Sequence, residues 1–147
     1  CIRDRSHTGK NLSSAALIKN SENQYFVYLG DTGADRIEGT EQLADLWKAI
    51  APIIKEKRLK GIAIECSYSN EQPENQLYGH LTPRLLTEEM ENLEKLVGKE
   101  GLKDLNLIIT HIKPKKNIHQ KVKKELNVLY KKGIKIIFAE QGKVINL

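Results

Sequence analysis

Apolar positions along this chain change period several times, and each change predicts an element. Ser13 to Lys19 (Ser-Ser-Ala-Ala-Leu-Ile-Lys) and Tyr25 to Leu29 (Tyr-Phe-Val-Tyr-Leu) read as two strands, and the polar stretch Asn20 to Gln24 between them as the turn of an antiparallel hairpin. Beyond Gly33 the period lengthens. Leu43, Leu46, Trp47, Ile50, Ile53 and Ile54 recur at helical spacing, with Thr40 as the expected N-cap and Pro52 as the expected kink. Leu59 to Cys66 predicts a buried strand, and Pro83 to Val97 a helix opened by proline and closed by Gly98 and Gly101. Leu105 to Thr110 predicts another buried strand, ended by Pro114, and Ile118 to Tyr130 an amphipathic helix stopped at Gly133. Ile134 to Ala139 and Lys143 to Ile145 read as two short strands around the Gln141-Gly142 turn, while the polar Cys1 to Leu12 reads as loop. Strands alternating with helices in this way predict an α/β protein, a mixed sheet packed with helices and parallel in at least part.

Composition narrows the class without naming it. A length of 147 residues, 39% hydrophobic and 29% charged, suits one domain (1–147) with no internal boundary. The net charge of +5 comes mainly from a lysine-rich final third, which would draw anionic ligands such as phosphate compounds, nucleic acids or acidic surfaces. No apolar run approaches the roughly 20 residues that span a bilayer, and no signal-peptide pattern is present, so the expected compartment stays open between cytoplasm and periplasm. Cys1 and Cys66 form neither a disulfide framework nor a zinc knuckle. A first residue Cys1 fits a lipidation site or a piece of a longer polypeptide, and the second is the expectation.

Chemistry collects where the predicted strands end. Asp31 follows Tyr25 to Leu29 in Gly30-Asp31-Thr32-Gly33, a glycine-flanked turn at the strand end where open α/β sheets place their crevice. Glu65 ends the next strand and leads into the long loop Ser67 to Thr82, which carries His80; His111 ends the strand after that, and His7 precedes the first. Imidazoles and carboxylates suit zinc, manganese or iron, and one carboxylate can bridge two ions. Each residue also has a plainer reading. Asp31 would cap the following helix, His7 would be a solvated loop histidine, His80 would stack on Tyr78, and His111 would be a hydrogen-bonded core histidine. His119 reads as helix surface.

The wording of the sequence is more specific than its periodicity. Ser6-His7, Ser13-Ser14-Ala15, Gly30-Asp31-Thr32-Gly33, Glu65-Cys66-Ser67, Gly79-His80-Leu81-Thr82-Pro83 and Thr110-His111-Ile112-Lys113-Pro114 occur in the order seen in the class II cyclic-nucleotide phosphodiesterases of the metallo-β-lactamase superfamily. The chain resembles that family over nearly its whole length. The superfamily's H-x-H-x-D-H segment, which supplies most metal ligands, is absent from these residues and in the family lies upstream of His7. The resemblance is therefore to the C-terminal half of a metallo-β-lactamase-like αββα sandwich.

That resemblance implies metal ligation by His7, Asp31 and His111, with Asp31 bridging two divalent ions, zinc first and manganese or iron as alternatives. It implies a catalytic His80 acting on the scissile phosphate or the leaving oxygen, with Glu65 orienting it. The implied reaction opens cyclic AMP, and as a second substrate cyclic GMP, to 5′-nucleotides. The implied partners are that nucleotide and an N-terminal half carrying H-x-H-x-D-H, with a homo-oligomer left open. Two alternatives stand beside it: an RNA-end phosphodiesterase of the same superfamily, drawing on the lysine-rich helix Ile118 to Lys132, and a non-catalytic binding half-domain.

Overall fold

The computed structural model describes residues 2–4 and 13–147, with side chains from residue 14 onward. Its strands are β1 (Ile2–Asp4), β2 (Ser13–Lys19), β3 (Tyr25–Leu29), β4 (Leu59–Glu65), β5 (Asn106–Thr110) and β6 (Lys135–Phe138). They form one six-stranded sheet in sequence order. β1, β2 and β3 pair antiparallel, and β3 to β6 run parallel. The helices are α1 (Asp35–Glu38), α2 (Gln42–Lys55), α3 (Pro83–Val97), α4 (Ile118–Glu125) and α5 (Asn127–Lys131), and a short 3₁₀ turn covers Glu74–Gln76.

Parallel neighbours need crossovers, and α2, α3 and the α4–α5 pair supply them. Because the sheet order never reverses, crossovers of the usual right hand stack all three on one face. Val27, Leu29, Ile62, Ile64, Leu107, Ile109 and Ile136 are buried towards that layer, alternating along their strands as a pleated sheet requires. α2 and α3 close the layer through Trp47, whose Nε1–H donates to Glu89 Oε2 at 2.9 Å. Burial pushes the Glu89 carboxyl above its ordinary value, and the Trp47 bond opposes that shift only in part. The other face keeps Ile18 at 53% and Tyr28 at 49% exposed. A mixed sheet with helices on one side is what half of an αββα sandwich presents.

The expected helix α3 and strand β3 occur at their predicted bounds. Four details differ. Ile2–Asp4 is a strand and not loop, since three extended residues beside β2 find ready-made backbone partners there. Thr40 does not cap α2. The Asp35 carboxylate does, accepting from Leu43 N at 3.1 Å and Ala44 N at 2.8 Å while Thr40 Oγ1 donates to it at 2.7 Å. As the repeat through Ile53 and Ile54 predicts, α2 runs through Pro52 to Lys55, where in the last turn a missing N–H costs a single bond. The stretch Ile118 to Tyr130 divides at Leu126 into α4 and α5. Lys143 to Ile145 forms no strand; after Gly142 the chain leaves the ladder, and the Leu147 side chain comes against Gly61 beside Ile108.

Candidate functional site

Because β3, β4 and β5 are parallel neighbours, their C-terminal ends share one edge, and each end delivers a functional side chain there. Glu65 is the last residue of β4, wholly buried. A carboxylate in that position needs donors on both oxygens. Oε1 accepts from Leu81 N at 3.1 Å and Thr32 N at 3.3 Å and lies 2.9 Å from His80 Nδ1; Oε2 accepts from Ser67 N at 2.9 Å. One side chain thereby joins the turn after β3, the exit of β4 and the end of the long loop.

The backbone turns into His80 through Tyr78 (φ 53°) and Gly79 (φ 76°), two successive left-handed residues. His80 is buried, with its ring edge-on to Tyr68 at 5.9 Å and to His111 at 5.1 Å. Tyr78 is 62% exposed, so the aromatic neighbour of His80 is Tyr68 and not the expected Tyr78. The left-handed turn separates residue 78 from the ring that follows it. Burial and the nearby Glu65 charge push the Tyr68 phenol above its ordinary value.

His111 leaves β5 in a left-handed conformation (φ 55°), which turns the next residues away from the ladder. Its Nδ1 lies 2.6 Å from Asp31 Oδ1, so the aspartate at the end of β3 meets this imidazole and does not cap the helix after it. With the proton on Nδ1, His111 Nε2 accepts from Lys113 Nζ at 3.5 Å. His111 is thus a partly exposed site residue rather than a core histidine.

Ser67, part of the phrase Glu65-Cys66-Ser67 but expected to have no role of its own, holds this edge together. Its Oγ donates to the His111 carbonyl at 3.0 Å and stands 3.3 Å from His80 Nδ1, and its own carbonyl accepts from Lys113 N at 3.1 Å. A small hydroxyl residue two positions beyond the carboxylate that ends a buried strand was the available signal.

Asp31, His80 and His111 each offer one ligand atom, and these atoms lie within 4.8 Å of one another. Bonds of about 2.0–2.2 Å to an ion bring donors to comparable separations, and two ions about 3.5–4 Å apart widen the permitted spread. One carboxylate with two imidazoles is a donor set suited to zinc, manganese or iron, so the residues fit a divalent cation. His7, the remaining expected ligand, lies outside the described residues. His119 is exposed on α4 with its ring 5.0 Å from Phe138.

Comparison with known proteins places this geometry. A family model described as class II cAMP phosphodiesterases matches residues 3–142. The chain is 43% identical to a 3′,5′-cyclic-nucleotide phosphodiesterase of Aliivibrio fischeri, covering 93% of this chain and 42% of the relative. It is 40% identical to a probable 3′,5′-cyclic-nucleotide phosphodiesterase of Yersinia pestis, covering 88% and 39%. The crystal structure of unliganded yeast PDE1 superposes with a TM-score of 0.84 at 29% identity, over 96% of this chain and 43% of that one. The chain therefore spans about two fifths of the length of these relatives. Matched from residue 3 to residue 142, and with its candidate site residues gathered at one sheet edge, the chain belongs to the class II cAMP phosphodiesterase family.

Proposed function

We propose that this chain forms the C-terminal half of a metal-dependent active site that hydrolyses 3′,5′-cyclic nucleotides, cyclic AMP first and cyclic GMP second, to 5′-nucleotides. The observation that carries the proposal is the meeting of Asp31, His80 and His111 at the C-terminal edge of the parallel strands, in a chain whose relatives are cyclic-nucleotide phosphodiesterases.

Asp31 and His111 are the described residues of this chain that would hold the divalent ions, with Asp31 as the shared ligand. His7 and an upstream H-x-H-x-D-H segment would supply the remaining ligands. Bound there, the ions would activate water for attack on phosphorus and neutralise charge on the phosphoryl oxygens. His80 has a separate task. With Nδ1 held on Glu65, Nε2 is the ring atom that would deliver a proton to the leaving 3′-oxygen. Glu65 acts through His80 by fixing its tautomer and plane, as a carboxylate behind a working histidine does.

The RNA-end alternative draws on five lysines of Ile118 to Lys132, two of which the fold pairs with carboxylates. Lys121 meets Glu71 at 2.6 Å and Lys132 meets Glu94 at 2.8 Å.

The test uses the full-length protein stripped of metal and reloaded with zinc, manganese or iron. Metal-dependent conversion of cyclic AMP to 5′-AMP, lost by about a hundredfold or more in Asp31→Ala together with bound metal, is the expected result. Turnover that survives metal removal, or that Asp31→Ala leaves intact at full metal content, overturns the assignment.

A further inference from the structure

We infer that Lys113 is a phosphate-gripping residue of this site, its ammonium group pairing with an anionic oxygen of the bound nucleotide. This rests on the phosphodiesterase reading and adds to it a residue from this chain that reads the charge of the substrate.

Lys113 Nζ stands 3.5 Å from His111 Nε2, which places a permanent positive charge against the Asp31, His80 and His111 cluster. Its backbone is fixed: Lys113 N donates to the Ser67 carbonyl at 3.1 Å, and Lys113 O accepts from Lys115 N at 2.8 Å. Pro114 stiffens the next position, and Ile112 packs partly buried against the core. A rigid backbone carrying one flexible, half-buried lysine at the rim suits a group that must follow a phosphate through a reaction.

Charge placement separates this lysine from its neighbours. Lys121, Lys132, Lys135 and Lys143 each pair with a carboxylate. Among the described residues no carboxylate pairs with Lys113, Lys115 or Lys116, the three that directly follow His111 and Ile112. Lys115 Nζ instead lies 5.5 Å over the ring of Tyr68, the residue packed edge-on to His80. Lys99, Lys123, Lys124 and Lys131 likewise have no carboxylate partner among the described residues; what sets Lys113 apart is its 3.5 Å approach to the His111 imidazole of the cluster. A cyclic nucleotide offers a phosphodiester anion, which a lysine ammonium binds as a point charge.

The experiment compares full-length wild type with Lys113→Met and Lys113→Arg, all metal-loaded. Binding of 5′-AMP and of uncharged adenosine is measured by calorimetry, alongside metal content and cyclic-AMP kinetics. Lys113→Met is expected to weaken 5′-AMP about tenfold, leave adenosine and metal content unchanged, and lower kcat/KM by a similar factor; Lys113→Arg restores most of the loss. Equal weakening of adenosine, unchanged 5′-AMP affinity, or loss of metal in Lys113→Met overturns the inference. If wild type binds 5′-AMP through Lys113 yet hydrolyses no cyclic nucleotide, the phosphodiesterase reading fails and the phosphate grip stands. If wild type hydrolyses cyclic AMP and Lys113→Met matches it, only the grip fails.

Discussion

Glu65 Oε1 lies 2.9 Å from Nδ1 of His80, and the same oxygen accepts the backbone N–H of Leu81, the residue after that histidine. Side chain and main chain of one segment are thus fixed by one atom. Glu65→Gln keeps the shape but sets an amide N–H₂ against N–H donors on at least one side. Full-length Glu65→Gln should lose about 2–3 kcal/mol in denaturant unfolding, the cost of buried donors left unsatisfied. Its kcat should fall while Asp31-dependent metal content stays near wild type. A variant as stable as wild type would show that the carboxylate does not organise the edge.

His80 and Asp31 should separate by readout. His80→Ala is expected to lower kcat by about a hundred- to ten-thousandfold, the range for a lost general acid, while metal measured by elemental analysis remains bound. The loss should shrink for a substrate analogue whose leaving group needs no proton, such as a p-nitrophenyl phosphodiester. Loss of metal in step with activity would instead make His80 a ligand, which its place beside Asp31 and His111 also permits.

Glu89 gives a stability prediction away from the site. Burial raises its carboxyl above the ordinary 4.5, so the folded chain keeps a proton that the unfolded chain has released. Between 4.5 and the raised folded value the native state binds more protons, and stability falls as pH rises through that window. Below it the contribution is fully present. Glu89→Gln retains an acceptor for Trp47 and removes the titration. The melting temperature of Glu89→Gln minus that of wild type should therefore grow as pH rises above 4.5 and then level off. A constant difference across that range would refute the buried charge penalty.

Much of this fold was legible because its elements carry strong periods. Tyr25 to Leu29 alternates with Val27 and Leu29 inward, and Pro83 to Val97 has proline at the start and glycine just past the end. What escaped depended on partners remote in sequence. Ile2–Asp4 is too short and too polar to declare itself, and becomes a strand through pairing with Ser13, Ser14 and Ala15. The cap of α2 comes from Asp35, in the turn before, and no local rule distinguishes it from Thr40. Lys143 to Ile145 is short and apolar enough to read as a strand, yet it pairs with no strand among the described residues.

The site divides in the same way. Asp31, Glu65, His80 and His111 stand at strand ends or in recognisable phrases, and the sheet gathers the residues that close-range spacing could not. Ser67 and Lys113 were invisible as participants, because one works through backbone carbonyls and the other through its distance to an imidazole. The choice of Tyr68 over Tyr78 as the neighbour of His80 follows from two left-handed residues that side-chain chemistry alone does not announce.

The Glu65 carboxylate also decides how the long connection after β4 is held. Its contacts clamp both ends of the long connection, at Ser67 and at His80 and Leu81, so the segment between them begins and ends at fixed points. Between those points the segment is held again, by Leu77 buried in the core with its carbonyl accepting from His80 N at 3.2 Å, and by Glu71 and Glu74 paired with Lys121 and Arg36. One buried carboxylate thus ties the start and the end of a loop of more than a dozen residues to the same strand end.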